Sequence, residues 1–205
     1  MSTRTPTQPR KLPRQSRSMA MVDTILEASA RVLKARGYEG MTTNAVAECA
    51  GISVGSLYQY FPNKASLLAA LHARHAKQMA DAIELVLAKP RDDGLAGAVQ
   101  GLIRAAMAAH EVEPELHRLL EKERPLLEEN MGAAGERIHR HVAQLLDRHR
   151  AQIGHEDLEL AAWLTMKMTE SLVHAAVLES VHGRNAAKVE AAIVNGVLGF
   201  LRCNR

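Results

Sequence analysis

Apolar side chains in this 205-residue chain recur every three or four positions, which is the spacing of one face of an α-helix. The pattern is clearest over residues 18–36, 63–88, 136–152 and 186–202. Long runs of β-branched and aromatic residues, which are typical of strands, do not occur. The chain is therefore predicted to be all-α.

Two short helices joined by a tight turn are predicted within the stretch Thr42–Leu71. Thr43 is expected to cap the first helix, because a threonine hydroxyl accepts a hydrogen bond from a free N–H group at a helix start. Gly51 is expected to end it, because glycine adopts the left-handed conformation without a steric penalty. The chain can then leave at a steep angle, as in a helix-turn-helix.

The second short helix is predicted over Val54–Tyr60, with Ser53 as its N-cap. Pro62 is expected to end it, because the residue before a proline is disfavoured in the α region. Asn63 is expected to cap the long helix that follows. The three helix boundaries together predict a compact unit with defined angles between its helices.

The outer face of the second short helix is expected to bind a ligand. Leu57 and Phe61 are one turn apart and are predicted to face the core. The positions predicted to point outward are Val54, Gly55, Ser56, Tyr58, Gln59 and Tyr60. Small residues followed by hydrogen-bonding side chains suit a nucleic-acid groove, against which a helix-turn-helix places the start of its second helix. A plain helical hairpin with exposed tyrosines is the alternative.

Residues 20–66 resemble the N-terminal domain of TetR-family transcriptional regulators. The resemblance rests on an amphipathic first helix and on short motifs, which are Gly37-Tyr38, Thr42-Thr43, Ala47, Ala50-Gly51-Ile52-Ser53, Leu57-Tyr58, Tyr60-Phe61 and Asn63-Lys64. It implies a homodimer that binds double-stranded operator DNA. It also implies a second helical domain that binds a small-molecule effector and dimerises through the last two helices.

The same resemblance implies which side chains contact DNA. Base-edge contacts are expected from Val54, Gly55, Ser56 and Tyr58, with Gln59 as a further candidate. Phosphate contacts are expected from Thr43, Tyr60 and Lys64. The positions of Thr43 and Lys64 also favour phosphate binding, because each lies at a predicted helix start, where backbone N–H groups attract anions.

The chain is predicted to have three parts, which are a disordered basic arm (1–17), a DNA-binding domain (18–66) and a ligand-binding and dimerisation domain (67–205). The first 66 residues hold nine Lys/Arg and four Asp/Glu, and the remainder holds seventeen and nineteen, so net charges of +5 and −2 sum to +3. A basic N-terminal part suits a polyanionic partner. The sequence leaves open whether the arm contacts phosphates or is a solvated tail.

The predicted second domain supplies two sets of candidate residues. An effector pocket is expected to be lined by Met79, Met107, His110, Leu119, Met131, Trp163, Met166 and Met168, because methionine adapts to varied apolar shapes. A dimer interface is expected to use Leu172, Ala175, Ala176, Ile193, Gly196, Val197 and Phe200, where small residues allow helices to approach closely. Ordinary core packing is the alternative for each residue.

Other classes of function are disfavoured. Cys49 and Cys203 have no CxxC spacing, which fits a reducing cytoplasm. No apolar run reaches the roughly 18–20 residues of a membrane span. The ten histidines include no HExxH motif, so no metal site is predicted. No nucleophile elbow occurs either, and the sequence predicts no cofactor and no enzymatic activity.

The sequence therefore predicts a cytoplasmic, ligand-responsive repressor that binds a palindromic operator as a dimer. An activator, a regulator controlled by a protein partner, and an enzyme in the C-terminal helices are the alternatives. The identity of the effector, the operator sequence and the regulated genes are not encoded in these patterns.

Overall fold

The computed structural model describes residues 16–88, 93–123, 132–178 and 185–203. Its helices are α1 (Ser16–Gly40), α2 (Thr43–Ala50), α3 (Val54–Tyr60), α4 (Lys64–Leu87), α5 (Gly94–Glu111), α6 (Pro114–Lys122), α7 (Gly132–Arg148), α8 (Leu158–Leu178) and α9 (Ala186–Arg202). A short 3₁₀ turn follows α7 at Arg150–Gln152. No strand occurs in the described ranges, so the all-α prediction is confirmed. Most of the predicted basic arm, and Met131, lie outside the described residues.

The chain divides into two compact units. The N-terminal unit comprises residues 1–75 and 115–130, and the C-terminal unit comprises residues 76–114 and 131–205. The first half of α4 and nearly all of α6 thus belong to the N-terminal unit. This division differs from the boundary at residue 66 that the sequence suggested.

The division has a physical cause in the core of the N-terminal unit. Leu67, Leu68 and Leu71 of α4 are fully buried there, and so are Leu116 and Leu120 of α6. Periodicity along the chain shows that a helix has an apolar face, but it does not show which core receives that face.

The helix α1 supplies the largest share of this core. Its buried residues are Ile25, Leu26, Ala28, Ser29, Ala30, Val32 and Leu33. The regular helix ends at Gly37, whose φ of 64° breaks the helical conformation. Tyr38 then packs partly buried against the same core.

The core of the C-terminal unit is formed by α5, α7, α8 and α9, together with the second half of α4. Fully buried residues include Leu95 and Val99 of α5, Leu146 of α7, Ala162 of α8 and Leu201 of α9. Within the described ranges, no helix is both long and apolar enough to cross a membrane.

A charged network joins α4 to α7 at the surface of this unit. Arg137 Nη2 lies 2.7 Å from Asp81 Oδ1, and Arg137 Nε lies 3.2 Å from Glu84 Oε1. Hydrogen bonds from Lys77 and Arg137 lower the pKa of Asp81 below its usual value. The carboxylate of Asp81 is thus held ionised beside two cations.

The start of α7 corrects one expectation. The sequence pattern predicted a helix over 136–152, but the helix already starts at Gly132 and ends at Arg148. Ala133 and Ala134, which have the highest helix propensity, carry the helix through this segment. Gly132 has a φ of 59°, so the left-handed residue lies at the helix start.

Candidate nucleic-acid interface

The turn between α2 and α3 has the geometry that its sequence predicts. Gly51 is left-handed, with φ 69° and ψ 31°, and its N–H group donates to the carbonyl oxygens of Ala47 and Glu48. Ser53 caps α3, and its hydroxyl accepts from the N–H group of Ser56 at 3.0 Å. The start of α3 is therefore fixed by local hydrogen bonds.

The cap of α2 differs from the prediction by one residue. Thr42, not Thr43, is the N-cap, and its hydroxyl accepts from the N–H group of Ala45 at 3.1 Å. Thr43 is the first residue of the helix. Two adjacent threonines have the same capping chemistry, and the packing of Val46 and Ala47 into the core sets which of them precedes the helix.

Two buried side chains anchor α3. Leu57 and Phe61 are buried in the N-terminal core as predicted, and Phe61 takes an extended conformation before Pro62. Gly55 and Gln59 are exposed, and Tyr58 is 41% exposed. These three residues form the accessible face of α3.

The remaining predicted contact residues of α3 are less accessible. Ser56 is half-buried. Val54 and Tyr60 were expected to point outward, but both are partly buried against the core. Their packing lets them support the accessible face, and leaves only part of each side chain available to a ligand.

Hydroxyl pairs order the side chains at this surface. The hydroxyls of Thr43 and Tyr58 are 3.2 Å apart, which joins the start of α2 to the middle of α3. The hydroxyls of Ser53 and Ser56 are 2.8 Å apart. The surface thus presents a Gly, an amide and several hydroxyls in fixed places, a donor and acceptor set that suits phosphates and base edges.

Lys64, at the first turn of α4, is engaged with the end of α1. Its ammonium donates to the carbonyl oxygen of Tyr38 at 3.1 Å and lies 3.9 Å from the centre of the Tyr38 ring. Glu39 Oε2 is 3.7 Å from the same ammonium. Burial raises the pKa of the Tyr38 phenol, and the carboxylates of Glu123 and Glu39 raise it further.

A pair of histidines in the N-terminal unit was not predicted. His75 of α4 and His117 of α6 are both buried, and His75 Nε2 lies 3.0 Å from His117 Nδ1. The two residues are 42 positions apart. No local pattern could have indicated that they meet.

The residues predicted to line an effector pocket do not all belong to one unit. Leu119 packs on the N-terminal core, whereas Met79, Met107 and Met168 pack partly buried on the C-terminal core. His110 and Met166 are buried. Trp163 was expected inside but is 43% exposed, so it is not a lining residue of a closed pocket within this chain.

A groove lies between α5 and α9, with a volume of about 490 Å³. Its lining residues are Asp93, Ala96, Gly97, Gln100, Ala191, Val194, Asn195 and Leu198. It includes none of the residues predicted for the effector pocket.

The predicted dimer residues separate into three groups by burial. Ile193 and Val197 lie in the core of the C-terminal unit, which leaves their side chains no surface for a second chain. Leu172 is 40% exposed, and a Cβ added at Gly196 would meet no atom within 4 Å. The half-buried members of the set are Ala175, Ala176 and Phe200.

Comparison with known proteins gives matches over both units. A family model described as bacterial regulatory proteins, tetR family, matches residues 25–71. A second, described as tetracyclin repressor-like C-terminal domain, matches residues 94–201. The two matches together span most of the described chain.

Individual relatives agree with the family models. The HTH-type transcriptional repressor KstR of Rhodococcus jostii is 42% identical over 55 residues, which are 27% of this chain and 26% of that protein. The chain thus matches about a quarter of the length of this curated relative. A TetR-family regulator from Mesorhizobium loti has a similar structure, with a TM-score of 0.68 and 26% identity over 91% of this chain and 98% of that one. A protein of unknown function from Rhodococcus sp. RHA1 gives a TM-score of 0.70 at 18% identity, over 89% and 96%.

Proposed function

The chain belongs to the TetR family of bacterial transcriptional regulators, and from this premise we propose that it is a dimeric repressor that a small apolar effector releases from DNA. DNA binding through a helix-turn-helix is common to the family. The repression, the palindromic operator and the effector are the proposal. The protein would act in the cytoplasm, where its operator DNA is accessible.

The accessible face of α3 is the observation that carries the proposal. Gly55, Tyr58 and Gln59 are exposed to solvent. Leu57 and Phe61 on the opposite side of the helix are buried and anchor it to the core. A rigid short helix with a small residue near its start can approach base edges closely in a major groove. The amide of Gln59 and the phenol of Tyr58 then supply hydrogen-bonding groups.

The absence of arginine from α3 limits how it can read DNA. Bidentate recognition of guanine by arginine is not available to this helix. We therefore propose readout of adenine by the Gln59 amide, contacts of Tyr58 and Val54 with thymine methyl groups, and a contribution from DNA shape.

A dimer is supported by the surface of α8. Leu172 is an exposed large apolar residue of this helix, and Ala175 and Ala176, which are half-buried, follow it by about one turn. An exposed leucine beside small residues leaves a surface against which a second helix can pack closely. A second copy of the chain would cover this surface and would present two recognition helices to two half-sites about one turn of DNA apart.

Release by an effector would operate as a population shift. Lys64–His75 of α4 belong to the N-terminal unit and Ala76–Leu87 to the C-terminal unit, so one helix is shared by both. An effector that binds the C-terminal unit better in a state that does not bind DNA would favour that state. It can weaken DNA binding only by its preference between the two states.

The names of relatives support repression in a limited way. The match to the KstR repressor covers 55 residues, about a quarter of that protein, so repression is inferred from its name only as part of this proposal. The fatty acid degradation regulator FadR from Bacillus halodurans is 19% identical in sequence, and that likeness shows the fold alone. Neither relative indicates the effector of this chain.

The proposal is tested by selecting DNA from a random pool with the purified full-length protein. We expect enrichment of one sequence with two-fold symmetry and half-sites about ten base pairs apart or a multiple of that. A variant in which Gln59 and Tyr58 are replaced by Ala and Phe is the control, and it should enrich that sequence weakly. Enrichment of no sequence by the wild-type protein would contradict the proposal.

A further inference from the structure

Two buried threonines of α8 have no evident structural function. Thr165 is 1% exposed and Thr169 is 4% exposed, and both lie in the C-terminal unit. They are four residues apart, so they lie on one face of the helix about one turn from each other. Neither side-chain oxygen has a hydrogen-bond partner among the described residues.

Other hydroxyls in the chain show how a helix normally satisfies this group. Ser29, which is buried in α1, donates to the carbonyl oxygen of Ile25 at 2.8 Å. Thr24 donates to the carbonyl oxygen of Ala20 at 2.9 Å. Thr165 and Thr169 do not make the same bond to the preceding turn. A buried hydroxyl without a partner is destabilising, so folding alone does not account for these two hydroxyls.

The other buried residues of α8 near the two threonines are apolar. Ala161, Ala162 and Val173 on the same helix belong to the apolar core. In the described part of the C-terminal unit, the fully buried polar side chains are Thr165, Thr169 and His110, and no Lys or Arg is among them. His110 is already engaged, with Nδ1 2.7 Å from the carbonyl oxygen of Ala106.

Three cations of this unit pair with carboxylates at its surface. Arg104 Nε lies 2.7 Å from Glu190 Oε1, and Lys167 Nζ lies 3.0 Å from Glu170 Oε2. Arg137 is paired with Asp81 and Glu84, as described above. A buried carboxylate beside the threonines would therefore lack a cation to offset its loss of hydration.

We propose that Thr165 and Thr169 are the polar contacts of the effector site, and that the effector is a neutral, largely apolar compound carrying an alcohol or ketone oxygen. A ketone oxygen can accept from both hydroxyls, and an alcohol can accept from one and donate to the other. This inference rests on the proposed function, because it assigns the ligand class of the proposed effector site.

Flexible apolar side chains lie next to the threonines along the helix. Met166 and Met168 flank them on α8, and Met107 and Met168 pack partly buried on the same core. Methionine side chains are flexible and change shape at low cost, so they can open space beside the hydroxyls.

The first test needs no ligand. Thr165→Val and Thr169→Val keep the side-chain shape and remove the unpartnered oxygen. We expect each to raise the melting temperature of the full-length protein by roughly 2–4 °C, which is the shift that a stabilisation of about 1 kcal/mol produces in a chain of this size. Thr24→Val, which makes the same change at an exposed hydroxyl that has a partner, is the control and should give no rise. A lower melting temperature for both core variants would overturn the proposal, because it would mean that the hydroxyls are satisfied and structural.

The second test uses three probes of equal chain length, which are n-decanol, methyl octyl ketone and decanoate. The alcohol and the ketone should raise the melting temperature of the wild-type protein, and decanoate should not. The Thr165→Val/Thr169→Val double variant should bind the two neutral probes at least about tenfold more weakly. An equal shift with decanoate, equal binding to the double variant, or no shift with any probe would overturn the assignment.

The same samples separate this inference from the proposed function. Each probe is added to wild-type protein bound to its selected DNA. If a probe binds through the threonines but does not release DNA, the assignment of the threonine site holds and the proposal of an effector-released repressor is contradicted. Release of DNA from wild type and double variant alike would support the effector-released repressor and contradict the threonine site.

Discussion

The ammonium of Lys64 lies 3.1 Å from the carbonyl oxygen of Tyr38 and 3.9 Å from the centre of its ring. These contacts join the first turn of α4 to the end of α1, immediately after the kink at Gly37. The lysine that is proposed to bind a DNA phosphate thus also fixes the position of its own helix. The two roles predict separate effects of one substitution.

Lys64→Ala is expected to weaken binding to all DNA sequences alike and to reduce the salt slope of binding by about one, because one phosphate contact is lost. It should also lower the free energy of unfolding by about 1–2 kcal/mol, through loss of a charged hydrogen bond and a cation–π contact. Titrations at several salt concentrations and denaturant unfolding measure the two effects.

Lys77→Ala is the matched control for Lys64→Ala. Lys77 pairs with Asp81 one turn along α4 at an exposed site, where such a pair contributes little. The Lys77→Ala substitution should leave DNA binding unchanged. It should change the free energy of unfolding by no more than about 0.5 kcal/mol. A loss that depends on DNA sequence in Lys64→Ala would exclude the phosphate assignment.

Gly55→Ala is expected to separate stability from DNA binding. A Cβ at Gly55 would meet only the Ser53 hydroxyl at 3.8 Å, which is an ordinary contact, so the free protein has room for it. Alanine in place of glycine within a helix adds roughly 0.5–1 kcal/mol of stability. The added methyl would face the groove floor, so operator affinity should fall by about tenfold or more. A melting curve and an operator titration provide the measurement, and unchanged affinity would show that α3 does not approach the bases closely at this point.

Leu172→Lys is expected to break the proposed dimer without unfolding the chain. Leu172 is exposed on α8, so the change adds a charge at the surface that a second chain would cover. Analytical ultracentrifugation should show a monomer, while circular dichroism remains that of the wild type. Leu85→Lys, at another exposed leucine, is the control and should leave the dimer intact. A dimer in both variants would place the interface elsewhere.

Tyr38 predicts a dependence of stability on alkaline pH. Its pKa is raised in the folded chain by burial and by the carboxylates of Glu123 and Glu39, so the folded state holds this proton more tightly than the unfolded state. Its contribution is complete below the unfolded pKa of about 10 and is lost as pH rises through the folded value. Unfolding free energies across this range should therefore fall less steeply for Tyr38→Phe than for wild type. Equal slopes would show that the phenol does not titrate differently on folding.

The elements that the sequence predicts well are those with local causes. The αL turn at Gly51, the Ser53 cap and the end of α3 at Pro62 each depend on residues within one turn of each other, and the structure confirms them. The shift of the α2 cap from Thr43 to Thr42 shows the limit of such signals. Neighbouring residues of equal capping chemistry are distinguished only by packing.

Long-range packing accounts for the features that the sequence did not reveal. The N-terminal core receives Leu116 and Leu120 from α6, far along the chain. On α9, both Val197 and Gly196 fit a helical interface pattern, but Val197 is in the core and Gly196 is exposed. A helix whose apolar residues are spread around its circumference, such as α8, does not indicate which of its faces is internal. The isolation of Thr165 and Thr169 from partners was likewise visible only in three dimensions.

The central claim, that α3 reads DNA sequence, is tested most directly by one ratio of affinities. The wild-type protein is titrated against its selected operator and against a shuffled sequence of equal length and composition, at one physiological salt concentration. The account predicts tighter binding to the operator by about a thousandfold or more. Equal affinities for the two sequences would show that the protein binds only the phosphate backbone, and would contradict the assignment of Gly55, Tyr58 and Gln59 to base readout.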